Sequence, residues 1–280
     1  MTEPVTWLAD GSPHSTRFND RYHSCAGGTA QALGVFLMGC GLPQRWQGRP
    51  LFTILETGFG LGMNFLTTWA SWEADPQRCE QLHVVSVEAH PVAAADLVRN
   101  VQSATPPTDT ERPLSATIAV RVHELARAWE SLSPGIQTLN FAQGRVRLTL
   151  AVGEVQNMLP DLNCVADAVF LDGFSPQLNP QMWSADTLRA VAQHCRPGTT
   201  LATYTVAKDV RTRLQTLGFS VAKCPGLPPK RDRLQAIYRG AADQPASEVV
   251  SETLNSPGST QSAHTAQTLA SAPLASHTTG

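Results

Sequence analysis

A doubly wound α/β fold on a mostly parallel sheet is predicted by three observations. Short apolar runs alternate with stretches of helical periodicity along residues 51–238. Three of those runs close on an acid, at Glu56, Glu88 and Asp172, which gathers carboxylates at the carboxyl ends of strands, where such sheets bind ligands. The first run, residues 51–55, passes into three alternating glycines, Gly58, Gly60 and Gly62, and then into helix formers.

The elements follow in order. Residues 1–25 hold few apolar positions and read as an irregular arm, and a helix over about 28–40 is stopped by Gly39, Gly41 and Pro43. After the strand at 51–55, apolar residues at helical spacing carry a helix through 63–72. The run LHVVSV at 82–87 is a second strand closed by Glu88, with a helix over 91–100 behind it. Residues 103–115 are rich in Pro, Thr and Ser and form a surface loop ahead of a helix over 118–132. A β-hairpin spans 136–141 and 145–150 around Ala142-Gln143-Gly144. Residues 168–171 make a short buried strand ending in Asp172. A helix at 184–194, a strand at 200–204 and a helix at 208–217 precede strands at 219–223 and 233–238, which supply an antiparallel edge. The organisation expected is an N-terminal arm and helix packed on the core (1–45), a Rossmann-like domain (46–240) and a disordered low-complexity tail (241–280). That last stretch contains no aromatic residue, Lys or Arg.

With 280 residues and 42% hydrophobic content, the chain can bury one sizeable core. No apolar run approaches the roughly 20 residues that span a bilayer, so no membrane partner is expected. The start MTEPVTWLADGSPHS lacks the basic and apolar regions of a secretory signal. Six scattered cysteines without a C-x-x-C pair read as small core residues in a reducing compartment, by default the cytoplasm. The histidines show no H-x-x-x-H or H-x-E spacing, and no metal is expected. Net charge is −2, yet Lys208, Arg211, Arg213, Lys223, Lys230, Arg231, Arg233 and Arg239 face only Asp209 and Asp232 in their segment. That segment is either a phosphate-binding patch or a solvated charged face.

The run E-T-G-F-G-L-G-M-N, residues 56–64, is not the dinucleotide fingerprint, which needs two residues between its last glycines. An acid ahead of G-x-G-x-G suits a ligand with a cationic methionine part and an adenosine, namely S-adenosylmethionine. Glu56, Gly58, Gly60, Gly62 and Asn64 are its candidate contacts. A class I S-adenosylmethionine-dependent methyltransferase fold follows, with Glu88 accepting from the ribose hydroxyls and Glu154 from the adenine amino group. The structural alternatives are first-turn acids that favour a helix dipole. The second informative segment is V-F-L-D-G-F-S-P-Q-L-N-P-Q-M-W, residues 169–183. Methylation of an amine needs a nitrogen that loses a proton and holds its lone pair in line with the methyl–sulfur bond, and an acid at a strand end can accept the amine hydrogens. Asp172 is the candidate for that work. Phe174 would stack on a planar acceptor, with Pro176 and Pro180 stiffening the loop. Lys208, Arg211, Lys230 and Arg231 are the candidate grips on substrate.

These segments resemble the methyltransferase domain of the MnmC family, bacterial enzymes that complete 5-methylaminomethyl-2-thiouridine at the tRNA wobble position. The matching stretches are S-T-R-F-N-D-R-Y-H-S (15–24), V-F-L-M-G-C-G-L-P-Q-R-W (35–46), E-T-G-F-G-L-G-M-N-F-L (56–66), E-L-A-R-A-W (124–129), F-L-D-G-F-S-P-Q-L-N-P-Q-M-W (170–183) and P-P-K-R-D-R-L (228–234). The resemblance implies N-methylation of a 5-aminomethyl (2-thio)uridine by S-adenosylmethionine, with the tRNA anticodon stem-loop as partner. It also implies a flavin-dependent oxidase acting upstream. No second glycine-rich nucleotide motif follows residue 64, so no FAD is expected on this chain, and the oxidase would be a separate protein. Departures from the family pattern are Gly28-Thr29-Ala30-Gln31, where a Glu usually follows the glycine, Gly39-Cys40 for G-N, and Gly153-Glu154 for G-D. Two rival readings stay open: a small-molecule amine methyltransferase or aminopropyl transferase, and a non-catalytic RNA-binding module of the same fold.

Overall fold

The chain opens with three short strands, β1 (Val5–Trp7), β2 (Pro13–Ser15) and β3 (Asp20–Arg21), paired antiparallel in a sheet of their own. This corrects the irregular arm expected over residues 1–25. Strands of two or three residues carry no readable alternation, and docking rather than propensity holds them. Trp7 Nε1 donates to Asp96 Oδ1 at 3.3 Å, the Arg99 guanidinium lies 4.5 Å over the Trp7 ring, and the Glu3 amide donates to Pro91 O at 2.9 Å.

The helix expected over 28–40 is three segments: α1 (Gly28–Gln31), a π-helical stretch (Ala32–Leu37) and a 3₁₀ turn (Met38–Cys40). Arg233 Nη1 donates to Val35 O at 3.0 Å and also to Gly34 O, so a guanidinium takes carbonyls that a regular helix would use itself.

Then follow β4 (Leu51–Glu56), α2 (Met63–Ala74), β5 (Gln81–Glu88), α3 (Ala94–Gln102), α4 (Arg112–Trp129), β6 (Gly135–Phe141), β7 (Val146–Val152) and α5 (Val155–Met158). The described residues continue through β8 (Ala166–Phe170), α6 (Ala185–Gln193), β9 (Cys195–Thr203), α7 (Lys208–Thr216), β10 (Phe219–Pro225) and β11 (Asp232–Tyr238). The start of α4 at Arg112 precedes the expected 118 because Pro113 sits in the first turn, where a missing N–H costs nothing.

Eight strands make the main sheet in the order β10-β11-β9-β8-β4-β5-β7-β6. The five from β9 to β7 are parallel, β6 and β11 run antiparallel to them, and the edge strand β10, antiparallel to β11, again points along the five. In β4 from Phe52 onward and throughout β8 every residue is buried, as strands covered on both faces require. Successive side chains serve opposite faces. Ile54 joins a cluster with Phe36, Phe65 and Trp69, whereas Leu55 joins one with Val169, Leu188 and Leu214. Each such fully buried large side chain contributes about 1.5–3 kcal/mol of transfer free energy. The sheet order reverses direction at β4, whose neighbours are β5 and β8. A crevice therefore opens between the carboxyl ends of β4 and β8.

This computed structural model describes residues 2–24, 27–103, 112–227 and 231–240. Met1–Asp243 forms one compact unit. The tail expected over 241–280, most of the loop expected over 103–115, and Lys230 lie outside the described residues. Among the described residues no helix is long and apolar enough to cross a membrane.

Candidate active site

The crevice at the switch point holds a cavity of about 570 Å³. Its floor is the glycine turn between β4 and α2. A Cβ on Gly58 would sit 3.2 Å from Asp172 O and 3.3 Å from Gly173 Cα, so the turn and the loop after β8 approach as backbone on backbone. Gly62 is the left-handed residue that starts α2, with φ +72°, and a Cβ there would meet the Phe59 ring at 3.0 Å. Gly60 gives its amide to Glu88 Oε2 at 2.7 Å, which ties the turn to the end of β5.

Asp172, immediately beyond β8, lines the cavity. Its Oδ2 accepts from Asn64 Nδ2 at 2.9 Å and its Oδ1 from the Gly173 amide at 2.9 Å. The Thr57 hydroxyl donates to Asp172 O at 2.7 Å, and the Asp172 amide lies 3.1 Å from the same hydroxyl. Both the carboxylate and the backbone of Asp172 are thus held by the β4 turn and the start of α2. Glu88 also faces the cavity, with Oε1 accepting from the His90 amide at 2.8 Å. Burial raises the Glu88 carboxyl above its usual range against two backbone hydrogen bonds that pull it down.

The other residues singled out from sequence divide between the cavity and the rest of the fold. Glu56 lies beneath the glycine turn at 1% exposure, its Oε2 accepting from Ser86 Oγ at 2.6 Å. Burial pushes its carboxyl up to about 8, with Asp172 and Glu88 adding to the shift. Glu154 caps the start of α5 at the surface, its Oε1 3.8 Å from His90 Nε2. Phe174 lines the cavity, but Phe18 stacks on it at 4.7 Å and Tyr22 meets it edge-on at 5.1 Å, so protein already occupies part of the face expected to be open. Pro176 is half-buried in the same loop, while Lys208 and Arg231 are exposed and Arg211 half-buried, away from the cavity. Sequence reasoning assigned no role to Phe18, Asp20, Tyr22 or Tyr204, all of which line the site. The available signal was the stretch S-T-R-F-N-D-R-Y-H-S, which resembles the family pattern but was given no residue roles.

Five acids line the cavity (Glu3, Asp10, Asp20, Glu88 and Asp172) against one arginine, Arg21, among the described residues. That donor set suits a cationic ligand. With backbone close to the floor and a volume within the usual range for small-ligand pockets, the residues present fit S-adenosylmethionine. Among the described residues no cluster of His, Cys, Asp and Glu has metal-holding geometry.

A family model described as S-adenosyl-L-methionine-dependent methyltransferase matches residues 117–239. The chain is 53% identical over 238 residues to the tRNA 5-methylaminomethyl-2-thiouridine biosynthesis bifunctional protein MnmC of Acidovorax sp. (strain JS42), covering 85% of this chain and 36% of that protein. It is 49% identical over 251 residues to the protein of the same name from Delftia acidovorans, covering 88% and 37%. The chain therefore spans little more than a third of the length of these relatives. The crystal structure of MNMC2 from Aquifex Aeolicus aligns with a TM-score of 0.64 at 24% identity, over 86% of this chain and 72% of that one, a likeness of fold. On these matches, with this strand order and glycine turn, the chain has a class I S-adenosyl-L-methionine-dependent methyltransferase fold and is similar over most of its length to part of the MnmC proteins.

Proposed function

We propose that the chain methylates the amino nitrogen of a 5-aminomethyl (2-thio)uridine at the wobble position of tRNA, using S-adenosylmethionine. The observation that carries this reading is a carboxylate, Asp172, held at the cavity wall beside a glycine turn that accepts close backbone approach. The names of the relatives supply the acceptor, and the acidic cavity suits an amine.

When bound, S-adenosylmethionine supplies a methyl group activated by its sulfonium sulfur. Gly58, Gly60 and Asn64 would hold it, Glu56 would support the turn from beneath on the side of its methionine part, and Glu88 would accept from its ribose hydroxyls. Glu154, exposed at the start of α5, would accept from the adenine amino group. Asp172 accepts the hydrogens of the neutral acceptor amine and so aims the nitrogen lone pair, a role worth roughly 10²–10⁴ in rate for a well-placed acid or base. Asn64 orients its Oδ2 and the Gly173 amide its Oδ1, so little reorganisation is needed as the amine arrives. Phe174 and Pro176 border the acceptor base, which is splayed out of the anticodon loop at modest unstacking cost.

The anticodon stem-loop rests on the rim. Lys208 follows the carboxyl end of β9, and Arg231 precedes β11, whose Leu234 pairs with Thr203 at that same end. Basic residues on the same end of the sheet as the cavity support a phosphate grip there. An FAD-dependent oxidase acting upstream would deliver the aminomethyl acceptor. The free thiols fit the reducing cytoplasm as the place of action.

The test supplies labelled S-adenosylmethionine with tRNA from cells that lack this step. Label on tRNA from the wild-type chain, lost in D172A while donor binding persists, supports the reading. Label on a free polyamine without tRNA overturns it in favour of small-molecule chemistry.

A further inference from the structure

Strand β3 reaches the loop after Asp172 through a hydrogen bond that spans most of the chain. The Ser175 amide donates to Asp20 Oδ2 at 3.0 Å, while Asp20 Oδ1 accepts from the Arg21 amide at 2.9 Å. Phe18 and Tyr22, two residues to either side of Asp20, both pack on the Phe174 ring. The carbonyls of the loop are held from the other side. Tyr204 Oη donates to Gly173 O at 2.8 Å and Trp183 Nε1 to Phe174 O at 2.8 Å. Three consecutive residues, 173–175, thus each have one backbone group fixed by a side chain from another part of the fold. Gly173 has a φ of +149°, a region essentially reserved for glycine, so the loop takes this path without strain and the three contacts fix it there.

The small N-terminal sheet does not depend on Asp20 for its own place. It is anchored on α3 and the turn before it through Trp7 with Asp96, Arg99 over Trp7, and Glu3 with Pro91. His23 Nε2 lies 3.1 Å from Asn100 Oδ1 as a further tie. Asp20 is therefore a contact the sheet makes outward, onto the loop that borders the cavity.

Resting on the reading of residues 172–174 as the acceptor site, we propose that Asp20 is a positioning residue for the acceptor. By fixing the Ser175 amide it sets the Phe174 ring and the Gly173 backbone, and through them the orientation of the Asp172 carboxylate. The N-terminal sheet is then the outer jaw of the acceptor pocket, whereas donor binding rests on the β4 turn and Glu88.

Two substitutions separate the latch from the charge. D20N keeps an oxygen that accepts from the Ser175 amide, and D20A removes it. The expected result for D20A is an acceptor KM raised about tenfold, the scale of a sub-ångström misplacement, with donor Kd unchanged. Hydrogen exchange should also quicken in the peptide covering 173–179. D20N should return both readings towards wild type. Should D20A fail to fold, D20S takes its place with the same expectations, since it shortens the side chain at a half-buried position while keeping it polar. The proposal is overturned if D20A (or D20S) leaves acceptor KM and exchange at wild-type values, or if D20N is as impaired as D20A. Exchange is read without turnover. A wrong acceptor therefore shows as a wild-type chain that fails to methylate tRNA, while the contrast between variants persists.

Discussion

Asp172 can accept amine hydrogens because its carboxylate lines the cavity, with Oδ2 held by Asn64 and Oδ1 by the Gly173 amide. D172N keeps the shape but turns one acceptor into a donor aimed at the incoming amine. Transfer should fall about 10²–10⁴-fold with donor affinity unchanged, measured by single-turnover kinetics beside calorimetric donor binding. Glu56 behaves differently. Its folded carboxyl titrates at about 8, against 4.5 for the free side chain, because burial outweighs the hydrogen bonds from Ser86 and Asn64. Between those two values the folded chain holds a proton that the unfolded chain has released. Stability from this group is complete below 4.5 and falls as pH rises to about 8, with a slope of roughly 1.4 kcal/mol per pH unit. E56Q should flatten that slope in denaturant titrations and leave the protein more stable than wild type at pH 8. A strand-end acid was legible for both residues. Which one faces the cavity was not, because that depends on the side of the strand each occupies.

At the scale of elements, the glycine turn and the loop after β8 form one contact. G58A inserts a methyl 3.2 Å from Asp172 O, a backbone atom that cannot swing aside. The turn should shift by a few tenths of an ångström, and donor Kd should rise together with acceptor KM. This contrasts with D20A, which spares the donor. Y204F removes the hydroxyl that donates to Gly173 O and should cost about 1 kcal/mol of stability, read as a shift in denaturant midpoint. The central strands, the hairpin and α7 were legible because burial on both faces, turn chemistry and helical spacing agree locally. The N-terminal sheet and the broken helix after it were not. Trp7 on Asp96 and Arg233 on the Val35 carbonyl are contacts between segments far apart in sequence, and no local pattern encodes them.

For the molecule as a whole, the basic segment divides in two. Arg213 donates to Trp183 O, Lys223 pairs with Asp232, and Arg233 serves carbonyls of the π-helical stretch, so these three work inside the fold. Lys208 and Arg231 stay exposed at the carboxyl end of the sheet. A K208E/R231E variant should raise the KM for tRNA and lower the salt slope of tRNA binding by about 1–2, with donor Kd unchanged. Sequence showed the charge cluster but not this division, which arises only when the strands assemble. The most direct test of the account is nucleoside mass spectrometry of tRNA incubated with the chain and methyl-labelled S-adenosylmethionine. The label should lie on the exocyclic amino nitrogen of the wobble uridine. Label on any other nucleoside, or on a free amine while the tRNA stays unlabelled, would contradict it.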